Sequence, residues 1–198
     1  IFQGIAAIIL SQNMVQLMDY WDASMKDITL VMSGIGAGRL VILYFAGYFS
    51  DKMGRKKTVL IGIFCYLIFF SGILLSRNYI QGFIFALFAG FSNAFLDTGT
   101  YPTLTEAYPV DRDSSSLSVL NKAFISLGQF LLPFGMRFVL KNNLFFGYIF
   151  IACLVVLLIN FFVMLKMSYP DQKVEETEEE ETVGFKKFKP LMKYEGVA

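Results

Sequence analysis

The sequence predicts an all-α integral membrane protein, with six transmembrane helices arranged as a three-plus-three repeat. Three observations predict it. Of the 198 residues, 56% are hydrophobic and 22 are Phe, a share above that of an ordinary soluble domain. The apolar residues fall into six runs, at about 1–20, 29–50, 58–76, 80–105, 117–139 and 145–166, and a helix needs about 20 residues to cross the hydrocarbon core. The charges lie mostly in the short connections between runs and in residues 171–195. Backbone groups in lipid must be satisfied within their own segment, so helices are the natural form for these runs.

The first run carries Ser11, Gln12, Asn13 and Gln16 and opens without Met. It is expected to be truncated at its start, in a piece of a longer protein, and it has no small-residue cleavage site of a signal peptide. The second run carries Ser33, Gly34, Gly36, Gly38 and Arg39; the third is almost purely apolar. The fourth carries Ser92, Asn93, Asp97, Thr98 and Thr100, and the fifth Asn121, Lys122, Ser126, Gln129, Pro133 and Arg137. The sixth is apolar except for Asn160. The order polar, polar, apolar occurs twice, which is the repeat. On this reading the third and sixth helices face lipid, and the others border a polar cavity.

Lys and Arg set the orientation. Lys52, Arg55, Lys56 and Lys57 fill the connection at 51–57, Arg112 lies at 106–116, and six Lys follow from 166 onwards. The opposite side holds only Lys26, Arg77 and Lys141. The basic side is therefore expected to be cytoplasmic, in a multi-pass protein of the plasma membrane. Trp21 and Tyr79 fall at the outer ends of helices, where aromatic belts form. Residues 167–198 change character, with acidic residues dominating from Asp171 to Thr182 and basic ones from Phe185 to Lys193. Such like-charge runs stay solvated, so this segment is expected to be a cytoplasmic linker following a bundle at 1–166.

Spacing places the polar residues on faces. Asn93, Asp97 and Thr100 are separated by four and three residues, as are Lys122, Ser126 and Gln129, so each set lines one side of its helix. Two such stripes imply a water-accessible path, or hydrogen bonding between helices. A charge at mid-membrane costs at least about 2.5–3.5 kcal/mol and demands a partner or a task. Asp97, Arg39 and Lys122 occupy such positions. Burial favours a protonated carboxyl and a nearby cation favours the ionised form. Asp97 between those influences can carry a proton, or can form a static ion pair with Lys122 or Arg39.

Composition also excludes chemistry. The chain has no His, which removes His-based metal sites and general bases. Cys65 and Cys153 each sit inside an apolar run, as packing or lipid-facing thiols rather than a disulfide. No nucleophile–base constellation or metal cluster is visible. The chain is read as neither an enzyme nor a nucleic-acid binder, with no cofactor and no metal.

The connection Gly47-Tyr48-Phe49-Ser50-Asp51-Lys52-Met53-Gly54-Arg55-Lys56-Lys57 resembles the signature loop between the second and third helices of the major facilitator superfamily of transporters. That pattern runs Gly-x-x-x-Asp-(Arg/Lys)-x-Gly-(Arg/Lys)-(Arg/Lys), and every fixed position matches. The resemblance implies one six-helix half of a twelve-helix transporter, partnered by a C-terminal six-helix half, the lipid bilayer, a small-molecule substrate and protons. It implies that Asp51 latches one conformation against a helix end in the other half. The small residues Gly47 and Gly54 would serve close packing and the tight turn. Arg55, Lys56 and Lys57 would hold the loop at the anionic leaflet. The segment from Asn93 to Pro102 looks like the fourth helix of the fucose permease-like sugar–proton symporters, which implies proton coupling at Asp97. That family also has an acidic residue in its first helix, where this chain reads Ser11-Gln12-Asn13. The resemblance makes proton-coupled uptake of a small polar solute the expected activity. Asn13, Gln16, Arg39, Asn93, Lys122, Ser126 and Gln129 would line the path. Drug or metabolite efflux and a non-transporting sensor are the alternatives.

Overall fold

The computed structural model describes residues 1–107 and 114–167. Arg112 and the charged segment 168–198, assigned above to a cytoplasmic loop and linker, lie outside the described residues. The described residues form seven helices: α1 Phe2–Gln12, α2 Met14–Trp21, α3 Met25–Met53, α4 Arg55–Leu75, α5 Tyr79–Ala107, α6 Ser114–Lys141 and α7 Gly147–Lys166. Five of them, α3 to α7, are long and apolar enough to cross a membrane. The first apolar run is realised as two helices because it is interrupted at Asn13. The Asn13 side chain turns back to donate to the Ile9 carbonyl at 2.8 Å, competing with the backbone ladder as Asn does in a helix interior.

Local chemistry sets the helix ends. Ser24 opens α3 through a reciprocal cap: its side chain accepts from the Asp27 N–H, and the Asp27 carboxylate accepts from the Ser24 N–H at 2.9 Å. Asn78 accepts from the Gln81 N–H at 2.9 Å at the start of α5. A single residue, Gly54, turns α3 into α4, with φ 90° and ψ 153°. A side chain there would be strained, so the turn needs glycine.

The packing corrects one expectation. α4 was expected to face lipid for want of polar residues, yet it is the most enclosed of the five long helices. Its most apolar window is 56% buried, against 17% for α7. α4 lies against both α5 and α7, and Tyr66, Phe69 and Phe70 are fully buried in the main core beside Phe150. A helix apolar on every face is one that is surrounded, by protein or by lipid; sequence alone does not separate the two. Trp21, at the end of α2, is likewise enclosed by the protein. It is 5% exposed, its indole N–H donates to the Ser76 carbonyl at 3.2 Å, and its ring fills the space over Gly82.

Candidate functional site

Small residues bring the two central charges together. α3 and α5 form the most extensive helix pair in the bundle. At their crossing, a Cβ on Gly38 would lie 2.3 Å from the Leu87 carbonyl oxygen. One on Gly90 would lie 2.2 Å from the Ile35 carbonyl oxygen. Only glycine allows backbones to approach so closely, and small residues drive such contacts between membrane helices. From this crossing Arg39 of α3 reaches Asp97 of α5, with Nη2 2.7 Å from Oδ2. The Arg39 side chain is 51% exposed and Asp97 16%. The second carboxylate oxygen, Oδ1, accepts from Nε2 of Gln3 at 2.7 Å.

The result is a carboxylate held between unlike partners, a permanent cation on its open side and a neutral amide on its inner side. Charge-assisted bonds of this length are strong. Among the described residues, Lys122 forms no ion pair with Asp97. Of the two cations that could have paired with Asp97, the structure selects Arg39. Gln3 was not foreseen. Its signal was present, a long amide in an apolar run, but it stands apart from the polar group at Ser11 to Gln16.

One turn from Asp97, Asn93 is nearly buried and accepts from the Tyr66 hydroxyl at 2.5 Å. Tyr66 was missed because α4 reads as purely apolar. Thr100 turns inward to bond the Leu96 carbonyl. Below this level a cavity of about 170 Å³ opens between α1 and α4 to α7. Gln3, Tyr66, Thr100, Asn121 and Asn160 supply its polar lining among apolar neighbours such as Ile125 and Leu157.

The other expected path residues are dispersed. Asn13 is fully buried, and its Oδ1 has no hydrogen-bond partner. Gln16 and Gln129 are half-buried, while Lys122 and Ser126 lie on the exposed face of α6. They do not join the Arg39–Asp97–Gln3 cluster.

The basic connection is wired into the same helix pair. Pro102 in α5 has no N–H, which leaves the Thr98 carbonyl without its helical donor. The Ser50 hydroxyl of α3 fills that role at 2.9 Å. Arg55 in turn donates to Ser50 Oγ at 2.6 Å and to Asp51 Oδ1 at 2.8 Å. Lys56 donates to the Leu165 carbonyl at the end of α7, at 2.9 Å. Two of the cations expected to hold the loop at the leaflet therefore tie helices together. Asp51 remains 73% exposed. Among the described residues, a Cβ on Gly47 would meet nothing within 4 Å.

A family model described as Major Facilitator Superfamily matches residues 1–197. The chain is 38% identical over 167 residues to the inner membrane transport protein YdiM of Escherichia coli strain K12. That alignment covers 84% of this chain and 41% of YdiM. It is 39% identical over 169 residues to the uncharacterized MFS-type transporter YfkL of Bacillus subtilis strain 168, covering 85% of this chain and 42% of YfkL. It is 36% identical over 195 residues to the inner membrane transport protein YdiN of Escherichia coli strain K12, covering 98% and 46%. The chain thus spans less than half the length of these relatives.

Proposed function

The chain belongs to the major facilitator superfamily, and from that premise we propose that it is the first half of a carrier in the plasma membrane. In this reading residues 1–166 form the six-helix, three-plus-three half, with α1 and α2 together as the first helix. Residues 167–198 are a cytoplasmic linker to the second six-helix half. The carrier moves a small polar solute, a sugar or a related compound, by alternating access around a site between the halves, and a proton travels with it.

The observation that carries this reading is the Arg39–Asp97 pair, 2.7 Å apart with the guanidinium half exposed. While Asp97 is ionised, Arg39 is engaged. Once Asp97 takes a proton, the charge opposite Arg39 is gone, and the guanidinium can offer its fork of N–H donors to solute hydroxyl or carboxylate oxygens. Proton loading and solute binding thereby favour each other, and linkage requires the effect to be reciprocal. Asn93, Gln129, Lys122, Ser126, Gln16 and Asn13 are proposed as the further lining of the path. The basic connection, with Gly47, Asp51, Gly54, Arg55 and Lys56, is proposed as the element that stabilises one end state.

The test uses the intact transporter in energy-depleted cells. Sugars and organic acids are added singly while external pH is followed. Alkalinisation with one class, lost in Asp97→Asn, is the predicted result and names the solute. Alkalinisation that survives in Asp97→Asn removes Asp97 from the coupling step.

A further inference from the structure

We infer that the solute is a monocarboxylate, and that it enters with one proton in a step that moves no net charge. The inference rests on the proposed proton coupling at Asp97 and goes beyond it by fixing the charge of what is carried.

The first observation is the uncommitted part of Arg39. It stands midway along α3, Met25–Met53, a helix long and apolar enough to cross a membrane. Among the described residues its one side-chain hydrogen bond runs from Nη2 to Asp97 Oδ2 at 2.7 Å. A guanidinium carries several N–H donors in a fixed fork, so most of this fork is unused, on a side chain that is 51% exposed. Gly90 lets the Arg39 backbone nitrogen sit directly against α5, so the fork is offered from a fixed base. A planar fork of donors matches the paired oxygens of a carboxylate.

The second observation is the charge balance. The charged or titratable groups facing Asp97 are Arg39 from α3 and Tyr66 from α4. α1 contributes the neutral Gln3, and Lys122 of α6 forms no ion pair among the described residues. No other carboxylate among the described residues pairs with Arg39. With Asp97 ionised, the Arg39–Asp97 pair is neutral. A proton taken from the outer solution onto the Asp97 carboxylate leaves a neutral carboxyl beside an unbalanced guanidinium. An unpaired cation is costly in a site closed within the membrane. An uncharged sugar leaves that cost in place, whereas a carboxylate on Arg39 offsets it. The empty carrier and the carrier loaded with proton and carboxylate then have the same net charge. On the inner side the proton leaves Asp97, and the restored carboxylate displaces the solute from Arg39.

The test measures accumulation by the intact transporter in proteoliposomes with acid outside, with and without a potential of about 100 mV, negative inside, set by potassium and valinomycin. The probes are labelled gluconate and glycerate, uncharged glucose and sorbitol, and whichever solute the cell assay returns. A step that moves one net charge gains about fiftyfold in accumulation from such a potential. The expected result is that a carboxylate accumulates and that the potential changes its accumulation by less than about twofold. Arg39→Gln is expected to abolish that accumulation. Arg39→Lys keeps the charge but loses the fork, so it should retain accumulation with KM raised about tenfold; it carries the test should Arg39→Gln fail to fold. An uncharged solute that accumulates and responds about fiftyfold overturns the charge inference and leaves proton coupling standing. A carboxylate whose accumulation follows the potential overturns it as well. Accumulation of no probe under the pH gradient overturns it too, and the cell assay with Asp97→Asn decides separately whether proton coupling falls with it.

Discussion

Replacing Gly90 with Ala tests whether the α3–α5 crossing positions the ion pair. The added methyl would lie 2.2 Å from the Ile35 carbonyl oxygen and 2.5 Å from the Arg39 backbone nitrogen. Both are backbone atoms, so no side chain can rotate away. Restoring an ordinary contact of 3.4 Å requires α3 to retreat by about 1.2 Å. Carried to the guanidinium, that displacement stretches the 2.7 Å contact with Asp97 to about 3.9 Å, beyond a direct hydrogen bond. Overpacking of this kind costs about 1–3 kcal/mol. The control is Gly36→Ala on the same helix, where the new methyl meets nothing within 4 Å. There Ala's better helix propensity favours the helix by about 0.5–1 kcal/mol. The assay is thermal unfolding of the purified intact transporter, with the midpoint falling for Gly90→Ala and holding or rising for Gly36→Ala. Equal midpoints for the two variants would refute the argument that glycine is needed at this crossing.

Other expectations follow from single contacts. Ser50→Ala strips the Thr98 carbonyl of the donor that stands in for the missing N–H of Pro102. A buried acceptor left unsatisfied costs about 1–3 kcal/mol, so the unfolding midpoint should drop, and Ser50→Thr should restore it. Gly54→Val places a branched side chain at φ 90° and should destabilise the turn by about 1–2 kcal/mol, read in the same assay. Cys65 and Cys153 are both buried free thiols, so a polar maleimide should leave them unlabelled until the protein is unfolded.

Much of the fold was legible because the bilayer forces it to be. Runs of about 20 apolar residues separated by charged turns have few structural solutions, and the five long helices stand where five of those runs were marked. The Gly54 turn was legible because its glycine and flanking cations have distinct physical tasks. What stayed hidden depended on three-dimensional neighbours. An apolar face reads the same against lipid as against Phe150, so the enclosure of α4 and the inward turn of Tyr66 could not be seen. Asn13 reads as a polar residue in an apolar run, and its full burial among the described residues depends on neighbours in space. Gln3 is an isolated amide whose meaning comes from Asp97, 94 positions away. Arg55 reads as a topology signal by charge, while its bond to Ser50 depends on a carbonyl freed by a proline on another helix.

The most direct test of the central claim is solute movement in proteoliposomes bearing the intact transporter, using a solute found by the cell assay. Two modes are compared in Asp97→Asn: accumulation driven by an imposed pH gradient, and exchange of labelled for unlabelled solute at equal pH. The account predicts that accumulation is lost while exchange persists, because the solute path is intact and only the proton carrier is gone. Accumulation that persists in Asp97→Asn would contradict it.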